Sequence, residues 1–398
     1  MKFFLTDLGI VCALGISHEE ILARALAGDT SGVHADGVPA AVEGKNYPFG
    51  RVPDAALPPI ADASENLRCN RLMLAALAQI RNSVARLKRT FPPERLGIVL
   101  GVSNTGVDEA QTLVHRRLAG ERWPDEFSLS MLELGSTAIF LQKTLGFRGP
   151  ALAVSTACSS GAKAFGNARL LLENEVCDAV VVGGSDGFCR FAAQGFHALQ
   201  SLDEHISRPM SRNRAGINLG EGAALFVLEK SPAGTAEKRA PAIELLGLGE
   251  SSDAYHLTAP HPQGAGAQIA MRAALADAHL QPGDIDFINL HGTGTLQNDA
   301  AESRAVFEIF GAATPCASTK PLTGHALGAS GAIEAALSWL MIRRGDTLIP
   351  HVFDGERDAT LPQIRLARRG ERVPVRRILS NSFAFGGSNA CVVLGTRD

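Results

Sequence analysis

A cysteine followed directly by two serines is the first residue in this chain with a clear capacity for chemistry. Cys158 lies in the segment AVSTACSSGAKAFGNARLLL, between a predicted strand of small residues and a predicted helix. At the start of a helix, free backbone N–H groups and the helix dipole favour the thiolate over the thiol. We therefore expect Cys158 to be a nucleophile with a lowered pKa. The other cysteines, at positions 12, 69, 177, 189, 316 and 391, are interpreted as small buried hydrophobic residues.

Two histidines and a lysine further along the chain are candidate catalytic partners of such a nucleophile. His291 ends an apolar strand in FINLHGTGTLQND, where side chains emerge at the carboxyl edge of a parallel sheet. Lys320 follows another strand in CASTKPLTGHALGASGAIEAAL, and His325 lies at the predicted opening of the next helix. That position disfavours the imidazolium, so we expect His325 to be neutral and able to donate a hydrogen bond. Glu334, on the same predicted helix, is the expected buried partner of Lys320.

Glycines distinguish these positions from ordinary structural ones. A single histidine is most often structural, but Gly292 and Gly294 leave room for a ligand beside His291. The other nine histidines lack this setting and are interpreted as structural. In ILSNSFAFGGSNACVVLG, the turn between the last two predicted strands can direct backbone N–H groups near Phe385 into a cavity. Most phenylalanines lie in the protein core, and this is the default interpretation of Phe383 and Phe385. The two glycines after them indicate a loop able to move.

The elements that must position these residues alternate between short apolar runs and longer helical patterns. This alternation predicts an α/β fold with buried, largely parallel sheets. Predicted strands, besides the opening one, are 95–102, 151–155, 178–184, 223–229, 242–249, 285–290, 315–319 and 389–395. Predicted helices are 64–88, 127–146, 159–174, 264–279, 298–310 and 324–343. Residues 29–63 are predicted to be surface loop.

A polar segment rich in Pro and Gly, KSPAGTAEKRAP at 230–241, divides the chain into two parts of similar pattern. We expect an N-terminal half over 1–235 that carries the cysteine and a C-terminal half over 236–398 that carries the histidines and the lysine. Each part closes with a glycine-led strand, GEGAALFVLE and GGSNACVVLG. This repetition suggests a duplication, although two such strands also arise by chance.

Composition excludes several classes of protein. Over 398 residues, 38 Lys and Arg nearly balance 41 Asp and Glu, so no overall field selects nucleic acid or an anionic membrane. Seven cysteines, with no CxxC pair and no zinc spacing, are typical of a reducing cytosol. No apolar stretch reaches the length of a membrane span. Asp7 interrupts the apolar N-terminus, which we interpret as a first strand rather than a signal peptide.

Four segments carry a resemblance that extends over nearly the whole chain. STACSSGA, LHGTGT, STKPLTGHALGASGAIEA and NSFAFGGSNA resemble, in this order, the active-site motifs of the elongating β-ketoacyl-acyl-carrier-protein synthases of types I and II. The resemblance implies the thiolase fold, in which two similar halves stack in five αβαβα layers. It also implies a homodimer or a heterodimer with a related subunit, and a decarboxylative condensation of malonyl and acyl thioesters carried by acyl carrier protein. No metal or organic cofactor is implied.

The same resemblance assigns roles to individual positions. Cys158 would hold the acyl group, and His291 and His325 would stabilise the enolate left by decarboxylation. Lys320 would order the site through hydrogen bonds and its partner Glu334. The remaining assignments are an oxyanion hole from the N–H groups of Cys158 and Phe385, a gate at Phe383 and Phe385, pantetheine contacts at Thr293 and Thr295, and a supporting role for Asp299.

Departures from the family pattern bear on the substrate. The family usually has a proline and a glycine before the aspartate that follows the first histidine motif, whereas this chain reads Leu296, Gln297, Asn298 and Asp299. The DxxRDG stretch reads SRNRAG at 211–216, and Ala384 separates the two gate phenylalanines. These features are more similar to synthases of specialised pathways, such as the aryl polyene type, than to housekeeping enzymes. There the synthase pairs with a subunit that resembles a chain-length factor.

Other functions remain as alternatives. Gly183–Gly187 reads GGSDG and fits the GxSxG pattern of a serine hydrolase with Ser185 as nucleophile. A degradative thiolase would need a second cysteine in the final loop, and a priming synthase would carry Asn at the position of His325. A non-catalytic subunit that sets chain length would typically lack Cys158.

Acyl carrier proteins are acidic, so a basic surface near the tunnel would suit docking. Arg68, Arg71, Arg116 and Arg117 are the candidates, although merely solvated arginines would look the same in sequence.

Overall fold

A computed structural model of the chain describes residues 1–36, 41–231 and 243–396. Within them the strands, numbered in chain order, are β1 (Lys2–Cys12), β2 (Val33–His34), β3 (Phe49–Gly50), β4 (Leu96–Gly101), β5 (Ala151–Val154), β6 (Ala179–Asp186), β7 (Leu219–Gly220), β8 (Gly222–Ser231), β9 (Glu244–Ser252), β10 (Phe287–Asn289), β11 (Pro315–Ala317), β12 (Arg365–Leu366), β13 (Arg377–Phe383) and β14 (Ser388–Gly395).

The large sheet has eleven strands, of which ten form two groups of five with the same topology, and the short β12 extends the second group parallel to β11. Its order is β12-β11-β10-β13-β14-β9-β1-β8-β6-β4-β5, and β1 joins β9 through the pair Phe4–Glu244. In the first group β5, β4 and β6 are parallel, while β8 and β1 are antiparallel to their neighbours. In the second group β11, β10 and β13 are parallel, while β14 and β9 are antiparallel. The two glycine-led strands β8 and β14 therefore occupy equivalent places.

The helices complete the layers. They are α1 (His18–Leu26), α2 (Arg68–Gln79), α3 (Arg81–Thr90), α4 (Val107–Leu118), α5 (Ser136–Leu145), α6 (Ser160–Glu173), α7 (Arg190–Ala198), α8 (Ala265–Ala278), α9 (Leu296–Phe310), α10 (Lys320–Thr323) and α11 (Ser330–Arg344). α6 and α11 contact each other between the two groups of strands, α2 and α5 cover the outer face of the first group, and α8 covers that of the second. The result is five layers in the order α, β, α, β, α.

Two glycines allow the central helices to meet at their first turns. A Cβ atom on Gly331 of α11 would lie 2.6 Å from the backbone nitrogen of Ala162 on α6. One on Gly161 of α6 would lie 2.7 Å from the backbone nitrogen of Ala332. Such a close backbone approach admits only glycine. It brings together the segments just before the two helices, which contain Cys158 and His325.

The sequence predicted the strands better than the helices. The predicted strands are all present, and their ends are shifted by at most three residues. The helix predicted over 64–88 is instead two helices that meet at Ile80, and the one over 127–146 contains a 3-10 turn before α5. The helices α1, α4, α7 and the short α10 were not predicted, and neither were the two-residue strands β2, β3, β7 and β12. The predicted boundary between 235 and 236 lies outside the described residues.

Among the described residues, no helix combines the length and the apolar character needed to cross a bilayer.

The close contact of the central helices can be tested with a single methyl group. Gly331→Ala should lower the free energy of unfolding by about 1–3 kcal/mol, because the added Cβ meets backbone rather than a movable side chain. Gly195→Ala on α7 is the matched control, since nothing lies within 4 Å of its added Cβ. That variant should gain about 0.5–1 kcal/mol from helix propensity. Thermal or urea unfolding measures both, and equal stabilities for the two variants would contradict the contact.

Candidate active site

The cysteine and both histidines predicted from the sequence meet in one buried cluster. Cys158 follows β5 and stands two residues before α6, while His291 follows β10. His325 lies in the turn that precedes α11. Sγ of Cys158 is 3.0 Å from Nε2 of His325, and the two rings of His291 and His325 are 5.4 Å apart between centroids. All three side chains are almost completely excluded from solvent.

Lys320 determines which nitrogen of His291 carries the proton. Its Nζ lies 3.3 Å from Nδ1 of His291 and 2.5 Å from Oε1 of Glu334, and all three residues are buried. A lysine ammonium has only donors. Nδ1 of His291 therefore accepts, and the ring proton is on Nε2, where it can be donated to a ligand.

His325 has a different kind of partner. Its Nδ1 lies 2.8 Å from Oγ of Ser330, the first residue of α11. Ser330 was not predicted as a site residue. The predicted position of His325 at a helix opening is wrong, because α11 begins five residues later.

Burial makes both imidazoles neutral. The pKa of His325 lies well below its ordinary value of 6.5 because the ring is buried and, secondarily, because it lies near the positive Lys320. The pKa of His291 is lowered well below 6.5 for the same two reasons and by His325 itself. This direction agrees with the expected neutral state of His325, but the cause is burial rather than a helix dipole.

The thiol of Cys158 differs from the sequence-based expectation. Burial raises its pKa from 9.0 to about 12, and the nearby Lys320 lowers it by less. A charge near a helix terminus gains only about 0.3–1 kcal/mol, which is less than one pKa unit. The resting group is therefore a thiol, and the adjacent Nε2 of His325 is the base that can take its proton.

The same three side chains are close enough to hold a metal ion, since their ligand atoms lie within 4.8 Å of one another. The hydrogen bond from Lys320 argues against this use. It leaves Nε2 of His291 protonated, and a protonated nitrogen has no lone pair for a metal.

Two carboxylates on α9 hold the loop that carries His291. Glu302 accepts from the backbone N–H groups of His291 and Gly292, each at 2.7 Å, and burial raises its pKa to about 7. Asp299, predicted as a supporting residue, accepts from the N–H of Gly294 at 3.2 Å and from that of Met210 at 2.8 Å. Glu302 was not predicted. It lies three residues after Asp299, and this spacing, which places both side chains on one helix face, could have indicated a shared role.

A single cavity connects this cluster to the surface. It is lined by Cys158, Phe196, Leu199, Ser201, Ile217, Thr258, Ala259, Pro260, His291, Thr293, Thr295, Gln297, Asn298, His325, Phe383, Ala384, Phe385, Gly386, Gly387 and Asn389. The residues predicted for pantetheine binding, Thr293 and Thr295, are thus part of the wall, and their hydroxyls are 2.9 Å apart.

Comparison with known proteins identifies the family. The profile of the β-ketoacyl synthase N-terminal domain matches residues 58–233, and that of the C-terminal domain matches residues 243–353. The 3-oxoacyl-[acyl-carrier-protein] synthase 2 of Rhizobium meliloti (strain 1021) is 33% identical, and the alignment covers 99% of this chain and 98% of that protein.

The chain belongs to the β-ketoacyl synthase family.

Solved structures agree with this assignment. The ketosynthase ApeO in complex with its chain-length factor ApeC, from Xenorhabdus doucetiae, aligns at a TM-score of 0.92 and 38% identity over 100% of this chain and 98% of that chain. The ishigamide ketosynthase/chain-length factor aligns at 0.88 and 28% identity over 100% and 99%. The predicted thiolase fold of two similar halves is therefore confirmed, and this β-ketoacyl synthase is an acyltransferase.

The predicted gate of this β-ketoacyl synthase lies in the turn between β13 and β14. Phe385 is half-buried, and its ring centroid is 5.7 Å from that of Phe196. Gly386 has a φ of 82° with nothing within 4 Å of an added Cβ, and its N–H donates to the carbonyl of Leu257 at 2.7 Å. The N–H of Asp253 also donates to the carbonyl of Gly387 at 2.8 Å, so two backbone hydrogen bonds tie the turn to the segment that follows β9.

The four arginines predicted for docking do not line the cavity. Arg68 pairs with Glu221 and Asp54, and its side chain is only 12% exposed. Arg71 donates to the backbone carbonyls of Pro58, Leu57 and Asp54. Arg116 pairs with Glu121, and Arg117 lies 6.0 Å from the ring centre of Trp123. Arg68 and Arg71 are thus largely engaged within the protein, which leaves Arg116 and Arg117 as the more exposed pair.

The serine of the GGSDG segment has a structural environment. Ser185 is fully buried on β6 and donates its hydroxyl to the backbone carbonyl of Cys69 at 2.7 Å. A carbonyl oxygen cannot take the proton that a nucleophilic serine must lose. The geometry therefore gives no support to the hydrolase alternative.

The buried ion pair of Lys320 and Glu334 gives a prediction for stability. Lys320→Met should cost about 3–5 kcal/mol at neutral pH, because it leaves the Glu334 carboxylate buried without its partner. Burial already holds the pKa of Glu334 above its ordinary value of 4.5, and loss of Lys320 raises it further.

A carboxyl group with a raised pKa in the folded state stabilises at low pH and loses that contribution as the pH rises. The deficit of Lys320→Met should therefore be small in acid and grow above pH 4.5. Glu334→Met added to Lys320→Met should recover much of the loss. Urea unfolding across this pH range measures all three variants, and a pH-independent deficit would contradict the pairing.

Proposed function

We propose that this β-ketoacyl synthase condenses an acyl group held on Cys158 with a malonyl group delivered by acyl carrier protein, which extends the acyl chain by two carbons. The observation that carries the proposal is the 3.0 Å contact between Sγ of Cys158 and Nε2 of His325, with His291 in the same cavity. A buried nucleophile and two neutral imidazoles suit covalent storage of one substrate and stabilisation of an enolate from the other.

The first half-reaction transfers the acyl group. The sulfur of Cys158 attacks the thioester carbon, its proton passes to Nε2 of His325, and the carrier thiolate leaves and takes that proton. The N–H groups of Cys158 and Phe385 are assigned to the oxyanion in this step. No net charge remains in the cavity, which suits a site where burial opposes ions.

The second half-reaction makes the new carbon–carbon bond. Malonyl thioester loses carbon dioxide, and the electron pair of the broken bond forms an enolate. His291 and His325 are assigned as the Nε2–H donors to the enolate oxygen, a charge that is absent from the ground state. The enolate carbon then attacks the acyl thioester on Cys158 and displaces its sulfur as a thiolate, which takes the proton from Nε2 of His325 while a proton from water replaces it on the ring. These steps use no metal or organic cofactor.

Further residues are assigned to substrate access. Thr293 and Thr295 would contact the pantetheine arm, and Phe383 and Phe385 would open and close the tunnel. Arg116 and Arg117 keep an assignment as docking residues for the acidic carrier protein, whereas Arg68 and Arg71 are weaker candidates because of their internal contacts.

A second subunit is proposed to add to the edge of the first group of strands. β5 ends the large sheet, and Leu152 on it is 40% exposed. An uncovered edge strand favours pairing with another chain. Because this strand leads directly to Cys158, a partner there would border the acyl pocket. The partner is either a second copy or a related ketosynthase-like subunit of the kind present in the ApeO and ishigamide complexes.

A second candidate function is that of a chain-length-determining subunit without catalysis. The contact between the Cys158 thiol and His325 favours the catalytic role, since a subunit that only shapes a pocket gains nothing from it. The departure from the family pattern at 296–298, where Gln297 and Asn298 line the cavity, supports a specialised pathway such as aryl polyene synthesis. We place the enzyme in the cytoplasm.

Intact-mass analysis after exposure to acyl carrier thioesters tests the proposed function. The wild type should gain the mass of one acyl group, and Cys158→Ala should gain none. Ser185→Ala is the matched control, because it removes a buried hydroxyl outside the cavity and should load normally. Loading that persists in Cys158→Ala, or that disappears in Ser185→Ala, would overturn the assignment of the nucleophile. Conjugated acyl chains should load faster than saturated chains of equal length.

Assembly through β5 is tested by placing a charge on its exposed side. Leu152→Lys should dissociate the dimer, because an unpaired lysine would be buried in the interface. Ile269→Lys on α8 is the control, since Ile269 is equally apolar and 57% exposed but lies on the opposite outer layer. Light scattering reports the oligomeric state. A dimer that survives in Leu152→Lys and separates in Ile269→Lys would place the interface elsewhere.

A further inference from the structure

The two catalytic histidines have Nδ1 partners of different chemistry. Nδ1 of His291 faces the ammonium of Lys320, whereas Nδ1 of His325 faces the hydroxyl of Ser330 at 2.8 Å. An ammonium can only donate, but a hydroxyl can donate or accept by rotating its hydrogen. His291 is therefore held in one tautomer, while the neighbour of His325 accommodates both.

The two half-reactions require opposite roles from Nε2 of His325. To take the proton of the Cys158 thiol, Nε2 must carry a lone pair, so the ring proton must be on Nδ1. To stabilise the enolate oxygen, Nε2 must carry the proton, so Nδ1 must accept. A group at Nδ1 that only donates would favour the second role and oppose the first.

We propose that Ser330 is a positioning residue whose hydroxyl lets His325 act as an acceptor in acyl transfer and as a donor in decarboxylation. This inference rests on the proposed function. Ser330 does not line the cavity, so it acts through His325 and not on the substrate. It is 3% exposed, and the close contact of α6 and α11 at Gly331 fixes the backbone next to it.

The proton count closes over the cycle. In acyl transfer, Nε2 receives the thiol proton and passes it to the departing thiolate, which returns His325 to the form protonated on Nδ1. While one carrier protein replaces the other, Nδ1 gives one proton to water and Nε2 takes one from water, and the Ser330 hydroxyl changes from acceptor to donor. When the enolate carbon displaces the sulfur of Cys158, Nε2 gives its proton to that thiolate and Nδ1 takes one from water. The cycle thus ends with the Cys158 thiol and the ring protonated on Nδ1, and it consumes one proton, as loss of carbon dioxide from a carboxylate requires. Nδ1 has the Ser330 hydroxyl as its partner in both forms.

Ser330→Ala should affect the two half-reactions unequally. Without a partner, a buried Nδ1 lone pair is tolerated better than a buried Nδ1–H, so His325 should settle with its proton on Nε2. Acyl transfer to Cys158 should then slow by about tenfold to a hundredfold, since an unmade buried hydrogen bond has consequences of this size. Decarboxylation of malonyl carrier protein should change by less than about threefold.

Three further variants are compared with Ser330→Ala in this experiment. Ser330→Thr keeps a hydroxyl and should restore acyl transfer, while Ser330→Cys keeps the size, bonds weakly and should fall on the side of alanine. Ser338→Ala is the matched control, because Ser338 is a buried serine on the same helix whose hydroxyl donates to the carbonyl of Glu334. It should leave the ratio of the two rates unchanged. Selective 15N labelling of histidine gives a direct reading, in which Ser330→Ala shows protonated Nε2 on His325 and the wild type shows both forms.

Equal losses in both half-reactions, or no loss in either, would overturn the role of Ser330. So would a 15N spectrum of Ser330→Ala that matches the wild type. Failure of the proposed function looks different, because the wild type itself would then neither load an acyl group on Cys158 nor decarboxylate malonyl carrier protein. Thermal melts of all variants show whether a loss of activity follows a loss of folding.

Discussion

The close contact between α6 and α11 is the constraint on which the site depends. Cys158 comes from the first group of strands, and His291, Lys320 and His325 come from the second. The two groups meet in the large sheet through one residue pair, whereas the central helices pack against each other at Gly161 and Gly331. A separation larger by the width of one methyl group would break the 3.0 Å contact between Sγ of Cys158 and Nε2 of His325. The two glycines therefore allow residues from two similar halves of the fold to meet in one site.

Burial then determines the charge of that site. Burial raises the pKa of the Cys158 thiol to about 12 and holds the pKa of both histidines well below the ordinary value. Three pKa units correspond to about 4 kcal/mol, several times what a helix terminus supplies to a nearby charge. For this reason the proposed mechanism moves protons between neutral partners and does not store a thiolate. The charge that is kept, on Lys320, is compensated at once by Glu334.

Sequence patterns were informative where chemistry and local structure coincide. Cys158, His291 and Lys320 follow strands, and the strand ends could be read from apolar runs bounded by glycine. His325 was predicted as a site residue and lies in the cluster, but its predicted local structure was wrong. The turn before α11, in which Leu327 has a positive φ of 48°, gives no periodic pattern in the sequence. Ser330 and Glu302 were missed because each contacts its histidine segment through an irregular turn, and such a turn leaves no periodic signal in the sequence. The predicted direction of the pKa shift of Cys158 was wrong, because desolvation depends on the surrounding packing and cannot be inferred from one segment.

The hydrogen bonds around His291 show how a neutral site can still stabilise an anion. Glu302 fixes the backbone of His291 and Gly292 from one side, and Lys320 fixes the ring from the other. Neither contact adds a donor to the cavity, but together they leave Nε2–H of His291 no freedom to turn away. A dipole that is already oriented does not have to reorganise when the enolate forms, whereas water would. In the proposed mechanism the site therefore stabilises the developing charge through oriented dipoles, and the net charge on the cavity wall can remain close to zero.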